Sequence, residues 1–137
     1  MDTAGMSKRA NEAQFPCPCC GHVVFDGPPG THEICPICFW VDEAAALRYA
    51  TTAVEAVSLV EAQCNYAKFG ACEERWVKNV IRPRPLFRRE SAWRPFDVQQ
   101  DKTDLTWNEP GIPEWPANLE VLYYWRECYW MASQNAA

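Results

Sequence analysis

The clearest hydrophobic pattern in the chain predicts a helix near its middle. Apolar side chains recur there at helical spacing, at Leu59, Ala62, Tyr66 and Phe69. Ser58 and Glu61 form a capping box just before this pattern, and Gly70 can adopt the left-handed conformation that commonly ends a helix. We therefore predict an α-helix over residues 59–69.

Two other stretches carry weaker helical signals. The segment 71–81 places Glu73 and Glu74 in its first turn, where the helix dipole favours anions, and prolines follow it. Asn118 can cap a helix over 119–131, whose apolar side chains would occupy most of the helix circumference. Such a helix lies in a core or packs against a partner. The pattern predicts a short helix at 71–81 and a terminal helix at 119–131.

Near the beginning of the chain, short apolar runs alternate with turn residues. Residues 22–26 read as a strand, the Gly-Pro-Pro-Gly sequence at 27–30 as a turn, and residues 31–34 as a second strand. The pattern predicts a β-hairpin over residues 22–34.

Two Cys-x-x-Cys pairs flank the predicted hairpin, and their four thiols are Cys17, Cys20, Cys35 and Cys38. The hairpin would turn the second pair to face the first, and four thiolates suit a tetrahedral Zn²⁺ site with Zn–S distances of ~2.3 Å. We expect one zinc ion per chain. Cys19 lies inside the first pair and could replace a neighbour as ligand. Disulfides or unpaired buried thiols are the alternative, and iron could be held by the same four thiolates.

Composition bounds the class of protein. A hydrophobic fraction of 48% and a charged fraction of 23% exclude a disordered chain, and 137 residues suffice for one domain with a modest core. No apolar run approaches the ~20 residues of a membrane span, and the N-terminal residues lack the apolar centre of a signal peptide. We therefore expect a cytoplasmic protein, in which reducing conditions disfavour disulfides.

Together these elements predict a small α+β fold. Residues 15–85 would form a zinc-ribbon-like β-hairpin lobe, stapled by the four cysteines and packed with two to three helices. A flexible arm at residues 1–14 would precede this lobe. An acidic, Trp-rich extension with a terminal helix would follow at residues 86–137 and pack on the same unit.

The negative charge is concentrated in the last third of the chain. The net charge is −5, and residues 90–137 hold eight acidic but three basic side chains, with five of the seven tryptophans. Carboxylates steer a basic protein partner and tryptophans anchor it. We expect such a partner to bind at Trp107, Trp115, Asp101, Asp104, Glu109 and Glu114. The alternative is that the tryptophans are core residues and the charge keeps the domain soluble. For the core we expect Trp125 and either Trp40 or Trp76.

The chain also holds one basic cluster, which consists of Arg82, Arg84, Arg88, Arg89 and Arg94. Arginines interleaved with aromatic side chains fit a nucleic-acid-binding surface in principle. Because the residues that follow are strongly acidic, we favour internal pairing of the two groups and do not expect nucleic acid as the partner.

The inventory of reactive groups argues against an enzyme. The chain has two histidines, His22 and His32, and it has neither a Gly-rich phosphate loop nor a nucleophile elbow. A catalytic zinc keeps an open coordination position, whereas four thiolates would close it. We therefore expect a non-enzymatic protein.

Several separated motifs occur in a consistent order along the chain. They are Cys17-Pro-Cys-Cys-Gly21, Glu33-Ile-Cys-Pro-Ile-Cys-Phe-Trp40, Ser58-Leu-Val-Glu-Ala62, Asn65-Tyr66, Phe69-Gly-Ala71, Arg75 and Arg82-Pro83. Over about residues 15–85 they resemble the bacterial cysteine-rich CPCC domain family. The resemblance implies a small zinc-binding protein, and some members look like immunity proteins that accompany interbacterial toxins.

The resemblance and the acidic last third together give the functional expectation. We expect a zinc-binding protein-interaction module, most specifically an immunity protein that binds and blocks a basic, nucleic-acid-targeting toxin domain. A nucleic-acid-binding zinc ribbon that uses the arginines of residues 82–94 is one alternative, and a thiol or iron redox protein is the other.

Overall fold

The computed structural model describes residues 14–54, 56–81 and 87–132. Its strands and α-helices are β1 (Phe15–Pro16), β2 (Val23–Phe25), α1 (Ala44–Arg48) and α2 (Leu59–Phe69), followed by single turns of 3-10 helix at Glu74–Trp76 and Leu119–Leu122. This is the small α+β fold that the sequence predicts. The predicted arm at 1–14 lies outside the described residues except for Gln14, and so do Arg82 and Arg84 of the basic cluster.

The strand pairing differs from the predicted hairpin. Strand β2 pairs antiparallel with β1, which precedes it, through Phe15 opposite Phe25 and Pro16 opposite Val23. The predicted pairing of 22–26 with 31–34 is therefore wrong. Residues 31–34 turn instead toward 41–43, because the Asp42 carboxylate accepts from the N–H and the hydroxyl of Thr31. Each cysteine pair therefore lies in a turn that connects two short antiparallel segments of its own.

Helix α2 has the predicted bounds and both predicted ends. The Ser58 hydroxyl oxygen accepts from the Glu61 N–H at 3.0 Å, which satisfies one of the free donors of the first turn. Gly70 ends the helix with φ 89°, and its N–H donates to the Tyr66 carbonyl. Leu59, Ala62 and Gln63 form the buried face.

The predictions of the other two helices are wrong, because each segment forms only one turn of 3-10 helix. In 71–81, the backbone N–H groups of Cys72 and Ile81 donate to carbonyls of the second cysteine turn, so the segment is held by that turn instead of by its own helical bonds. In 119–131, the consecutive Tyr123, Tyr124 and Trp125 are all buried. A regular surface helix cannot bury three successive large side chains on one face.

A buried glutamine joins the C-terminal stretch to the cysteine-containing part of the fold. The Gln63 amide donates to the Pro18 carbonyl at 2.9 Å and to the Tyr124 hydroxyl at 2.8 Å, and its oxygen accepts from the Phe96 N–H. The same side chain therefore ties α2, the first cysteine turn and the acidic last third to one core. Trp125 and Trp40 belong to this core, as the sequence predicts. Among the described helices, none combines the length and the apolar character that crossing a bilayer requires.

Candidate metal centre

Four cysteine sulfurs meet in the interior. The sulfurs of Cys17, Cys20, Cys35 and Cys38 all lie within 4.8 Å of one another, and none of the four residues is exposed to solvent. Two of the separations are 3.6 Å, between Cys17 and Cys38, and 3.8 Å, between Cys20 and Cys35. Sulfurs placed ~2.3 Å from a tetrahedral ion are about 3.8 Å apart. This four-cysteine cluster is compatible with metal binding, and its members are the four thiols that the sequence singles out.

Two similar turns place the four sulfurs. In each turn, the N–H of the residue four positions after the first cysteine donates to that cysteine's carbonyl, as Gly21 does to Cys17 and Phe39 does to Cys35. Both of these fourth residues have positive φ angles, 82° at Gly21 and 73° at Phe39. Each first cysteine is followed by Pro, whose fixed φ suits the second position of such a turn. Equivalent local sequences thus form equivalent knuckles.

The first turn admits only glycine at position 21. A Cβ there would lie 2.6 Å from the Trp93 ring, and the positive φ would by itself strain a residue with a side chain. Trp93 is held against the turn because its indole N–H donates to the Pro18 carbonyl at 3.0 Å. Arg89 donates to the Cys20 carbonyl at 2.8 Å, and His22 Nδ1 lies 2.8 Å from the Phe87 carbonyl. Residues 87–93 therefore cover the first knuckle.

The electrostatics of the four-cysteine cluster are compatible with a bound cation. Burial is the main cause that raises the pKa of Cys20 to about 11, and burial likewise raises the pKa values of Cys17 and Cys38. Burial also opposes the charge of Cys35, but hydrogen bonds from the three neighbouring thiols outweigh it and lower that pKa. Protein groups alone therefore favour one thiolate, and a metal ion would supply the charge that four thiolates require.

Cys19, the predicted alternate ligand, and the His32 side chain lie outside this group. Cys19 is fully buried, but its sulfur is not among those that converge. The structure thus gives no support to Cys19 as alternate ligand. The His32 ring is exposed and lies 4.0 Å from the Glu43 carboxylate. All eight cysteines are free of disulfides.

Two of the four acidic residues predicted to bind a partner are used internally. Asp104 is 7% exposed and accepts from Arg48 Nε at 2.7 Å, so the prediction that it offers a carboxylate to a partner is wrong. Asp101 accepts two hydrogen bonds from the Arg94 guanidinium, at 2.6 and 2.8 Å, and one from the Asp97 N–H. Glu109 and Glu114 are exposed.

The two predicted anchor tryptophans line one open cavity. Trp107, Trp115 and Glu109 border a cavity of about 390 Å³ together with Tyr49. The rings of Tyr49 and Trp107 are 5.2 Å apart, and Trp115 is 41% exposed. We call the surface formed by Trp107, Glu109, Glu114 and Trp115 the Trp–Glu face.

No sequence motif identifies the side chain that packs beneath this face. Arg48 is 5% exposed, and its guanidinium lies 4.6 Å from the Trp115 ring centre and 4.8 Å from that of Trp130. It also donates to Asp104 and to the Glu114 carbonyl. Only the position of Arg48 at the end of a short apolar run distinguishes it from a surface arginine, and that signal is weak.

The fold and the four-cysteine cluster define a small α+β protein built around a candidate metal centre. The chain belongs to the family described as Cysteine-rich CPCC, whose family model matches residues 15–86, more than half of the chain. This confirms the resemblance drawn from the motifs. The comparisons with curated proteins and with solved structures found no match.

Proposed function

We propose that this protein is a non-enzymatic interaction module, in which zinc stabilises the fold and the Trp–Glu face binds a basic protein partner. The observation that carries the proposal is the cavity in which Trp107, Trp115 and the Glu109 carboxylate occur together at the surface. Exposed aromatic anchors beside carboxylates are the side chains that recognise a basic partner. The most specific form is an immunity protein that blocks a basic toxin domain.

The choice of zinc rests on the donor set. Four buried cysteines on two facing knuckles support a zinc-ribbon-like arrangement, and four thiolates would leave no open position for a catalytic water. Such an ion stabilises the fold and takes no part in chemistry. Elemental analysis should give one zinc per chain, whereas a red protein with visible absorption would identify iron instead.

The support for a basic partner comes from the carboxylates that are exposed at the surface. Asp101 and Asp104 are neutralised by Arg94 and Arg48, while Glu109 and Glu114 remain exposed beside the two tryptophans. A partner with Lys or Arg opposite these carboxylates would be steered to the face, and its side chains could pack on the indole rings.

The nucleic-acid alternative draws less support from the described arginines. Arg89 donates to the Cys20 carbonyl and lies over the Trp93 ring, and Arg94 pairs with Asp101. Two of the five arginines that suggested a phosphate-binding surface are thus engaged within the fold.

The test is co-purification of the tagged full chain from its native host, with the captured protein identified by mass spectrometry. We expect a basic protein whose association with the chain slows as salt increases. The double variant Glu109→Lys/Glu114→Lys should slow association about tenfold, because it reverses the charge that steers the partner.

A matched double variant, Glu74→Lys/Glu127→Lys, changes the net charge equally at exposed positions outside the Trp–Glu face. It should slow association much less. Equal slowing by both variants, or capture of nucleic acid in place of a protein, would contradict the proposed role of the face.

A further inference from the structure

The cavity of the Trp–Glu face combines aromatic side chains with one charged group. Tyr49, Trp107 and Trp115 line it, and Glu109 is the one charged residue among the described residues that line it. No arginine or lysine from the described part of the chain borders this cavity. The cavity therefore offers a carboxylate and aromatic rings to a cation from outside the chain.

The fold itself combines a carboxylate with an aromatic ring several times, and the cation in these sets is an arginine. Four guanidinium groups lie 4.5 to 5.6 Å from the centre of an aromatic ring and also pair with a carboxylate. They belong to Arg48 with Trp115 and Asp104, Arg75 with Trp76 and Glu73, Arg94 with Tyr124 and Asp101, and Arg126 with Tyr123 and Glu90. None of the described lysines pairs with a carboxylate. The aromatic–carboxylate sets of this fold thus hold guanidinium groups.

Trp115 has ring area left for a second guanidinium. Arg48 packs on its ring from the interior and is itself 5% exposed, whereas Trp115 is 41% exposed. The Arg48 charge is paired with Asp104 at 2.7 Å, so it repels an incoming cation far less than an isolated guanidinium would. The outer side of Trp115 is therefore open to a cation.

An arginine side chain suits this cavity better than a lysine side chain. The guanidinium is planar, stacks on aromatic faces and pairs with a carboxylate through two parallel hydrogen bonds, whereas the ammonium is compact and strongly hydrated. The cavity has a volume of about 390 Å³, and a cavity of about 150 Å³ already accommodates a benzene ring. A guanidinium and its methylene stem therefore have room.

We propose that this cavity binds the side chain of one arginine of the protein partner, whose guanidinium packs on an indole ring and donates to the Glu109 carboxylate. The inference rests on the proposed function, because it names the residue that the partner supplies to the Trp–Glu face. Recognition of the guanidinium is nevertheless measurable without the partner.

The test compares three probes on the ¹⁵N-labelled, zinc-loaded full chain at constant ionic strength. The probes are the Nα-acetyl amides of arginine, of citrulline, which has nearly the shape of arginine without its charge, and of lysine, which has the charge without the planar group. Trp107→Phe and Trp115→Phe assign the two indole N–H resonances. The arginine probe should shift both along a saturable curve, and it should bind about fivefold more tightly than citrulline and about twofold more tightly than lysine.

Two further variants separate the cavity from the general charge of the face. Glu109→Gln keeps the shape of the side chain and removes its charge, so the affinity for the arginine probe should fall about fivefold, to that of citrulline. Glu114→Gln is the matched control, since Glu114 is exposed on the same face but does not line the cavity. It should lower the affinity by less than about twofold.

The proposal is overturned if the indole resonances of the unmodified chain do not respond to the arginine probe, or if arginine binds no more tightly than citrulline or lysine. Equal losses in Glu109→Gln and Glu114→Gln would overturn it as well. The result is distinguishable from that of the co-purification. A chain that captures a basic protein but does not prefer the arginine probe contradicts only this inference, whereas a chain that prefers arginine but captures no protein contradicts the proposed function.

Discussion

Cys35 differs from the other three cysteines of the cluster because its neighbours favour its charged form. Its sulfur accepts from the Ile37 N–H at 3.3 Å, and the thiols around it lower its pKa despite complete burial. It is therefore the sulfur most ready to bind a cation. At this scale the sequence was sufficient, since the Cys-x-x-Cys spacing alone identified all four members.

We predict that Cys35→Ser releases the metal, because a serine hydroxyl is a poor ligand for zinc. Without the ion the buried thiols lose the charge that holds the two knuckles together, and Tm should fall by at least about 10 °C. Elemental analysis and thermal unfolding measure both effects. Cys128→Ser, at an exposed cysteine, is the control and should change neither. Unchanged zinc content in Cys35→Ser would remove Cys35 from the ligand set.

Asp42 makes stability depend on pH in an unusual direction. It is 3% exposed, and burial raises its pKa to about 6 although Thr31 donates two hydrogen bonds to it. Between the unfolded pKa near 3.8 and the folded pKa, the folded state binds more protons than the unfolded state. The contribution of Asp42 to stability therefore decreases as pH rises through this window.

We predict that Asp42→Asn removes this component. The free energy of unfolding of the unmodified chain, minus that of the variant, should fall between pH 4 and pH 6 by at most about 3 kcal/mol. Urea unfolding of both proteins at several pH values measures the difference, in which other titrating groups cancel. A difference that stays constant with pH would show that Asp42 keeps an ordinary pKa.

Among the elements, α2 was predictable because its determinants are local. The Ser58 cap, the apolar spacing and the Gly70 stop all lie within the segment itself, and the structure reproduces them. The segments 71–81 and 119–131 also carry cap or dipole signals. Their backbone groups and aromatic side chains, however, bind to distant parts of the chain, and this outweighs a weak local preference.

We predict that Ser58→Ala destabilises the protein by about 1 kcal/mol, because the Glu61 N–H loses its acceptor. Urea unfolding at constant zinc concentration measures the change. Ser58→Asp is the matched control, since aspartate caps as well and suits the positive end of the helix dipole. If alanine and aspartate destabilise equally, the Ser58 hydroxyl contributes nothing as a cap.

At the scale of the whole molecule, Arg48 holds the acidic last third against α1. Its side chain and that of Asp104 are 6% and 8% exposed, and 55 residues separate them along the chain. Removing one member of a buried ion pair leaves the other charge uncompensated, which costs more than the pair itself contributes. The Trp–Glu face therefore depends on an internal arginine for its position.

We predict that Arg48→Met lowers the free energy of unfolding by about 3 kcal/mol or more. The double variant Arg48→Met/Asp104→Asn should regain part of this loss, giving a coupling energy of at least about 1 kcal/mol. The same cycle on Arg94 and Asp101, where the arginine side chain is 48% exposed, should give less than about 1 kcal/mol. Additive effects at Arg48 and Asp104 would mean that the pair is not coupled.

The sequence by itself identified the four cysteines, helix α2 and the family, because the Cys-x-x-Cys pairs, the helix signals and the individual family motifs are each short local patterns. Both pairs of cysteines three residues apart, each with proline after its first cysteine, form the same turn in this chain. The tertiary structure alone decided the strand pairing, the shortening of two predicted helices, and which acidic residues are buried and which are exposed. Asp104 and Glu109 look alike in the sequence, yet one is buried against Arg48 and the other remains at the surface. The residue that pairs with a buried carboxylate lies far away in the sequence, so no local sequence pattern indicates it.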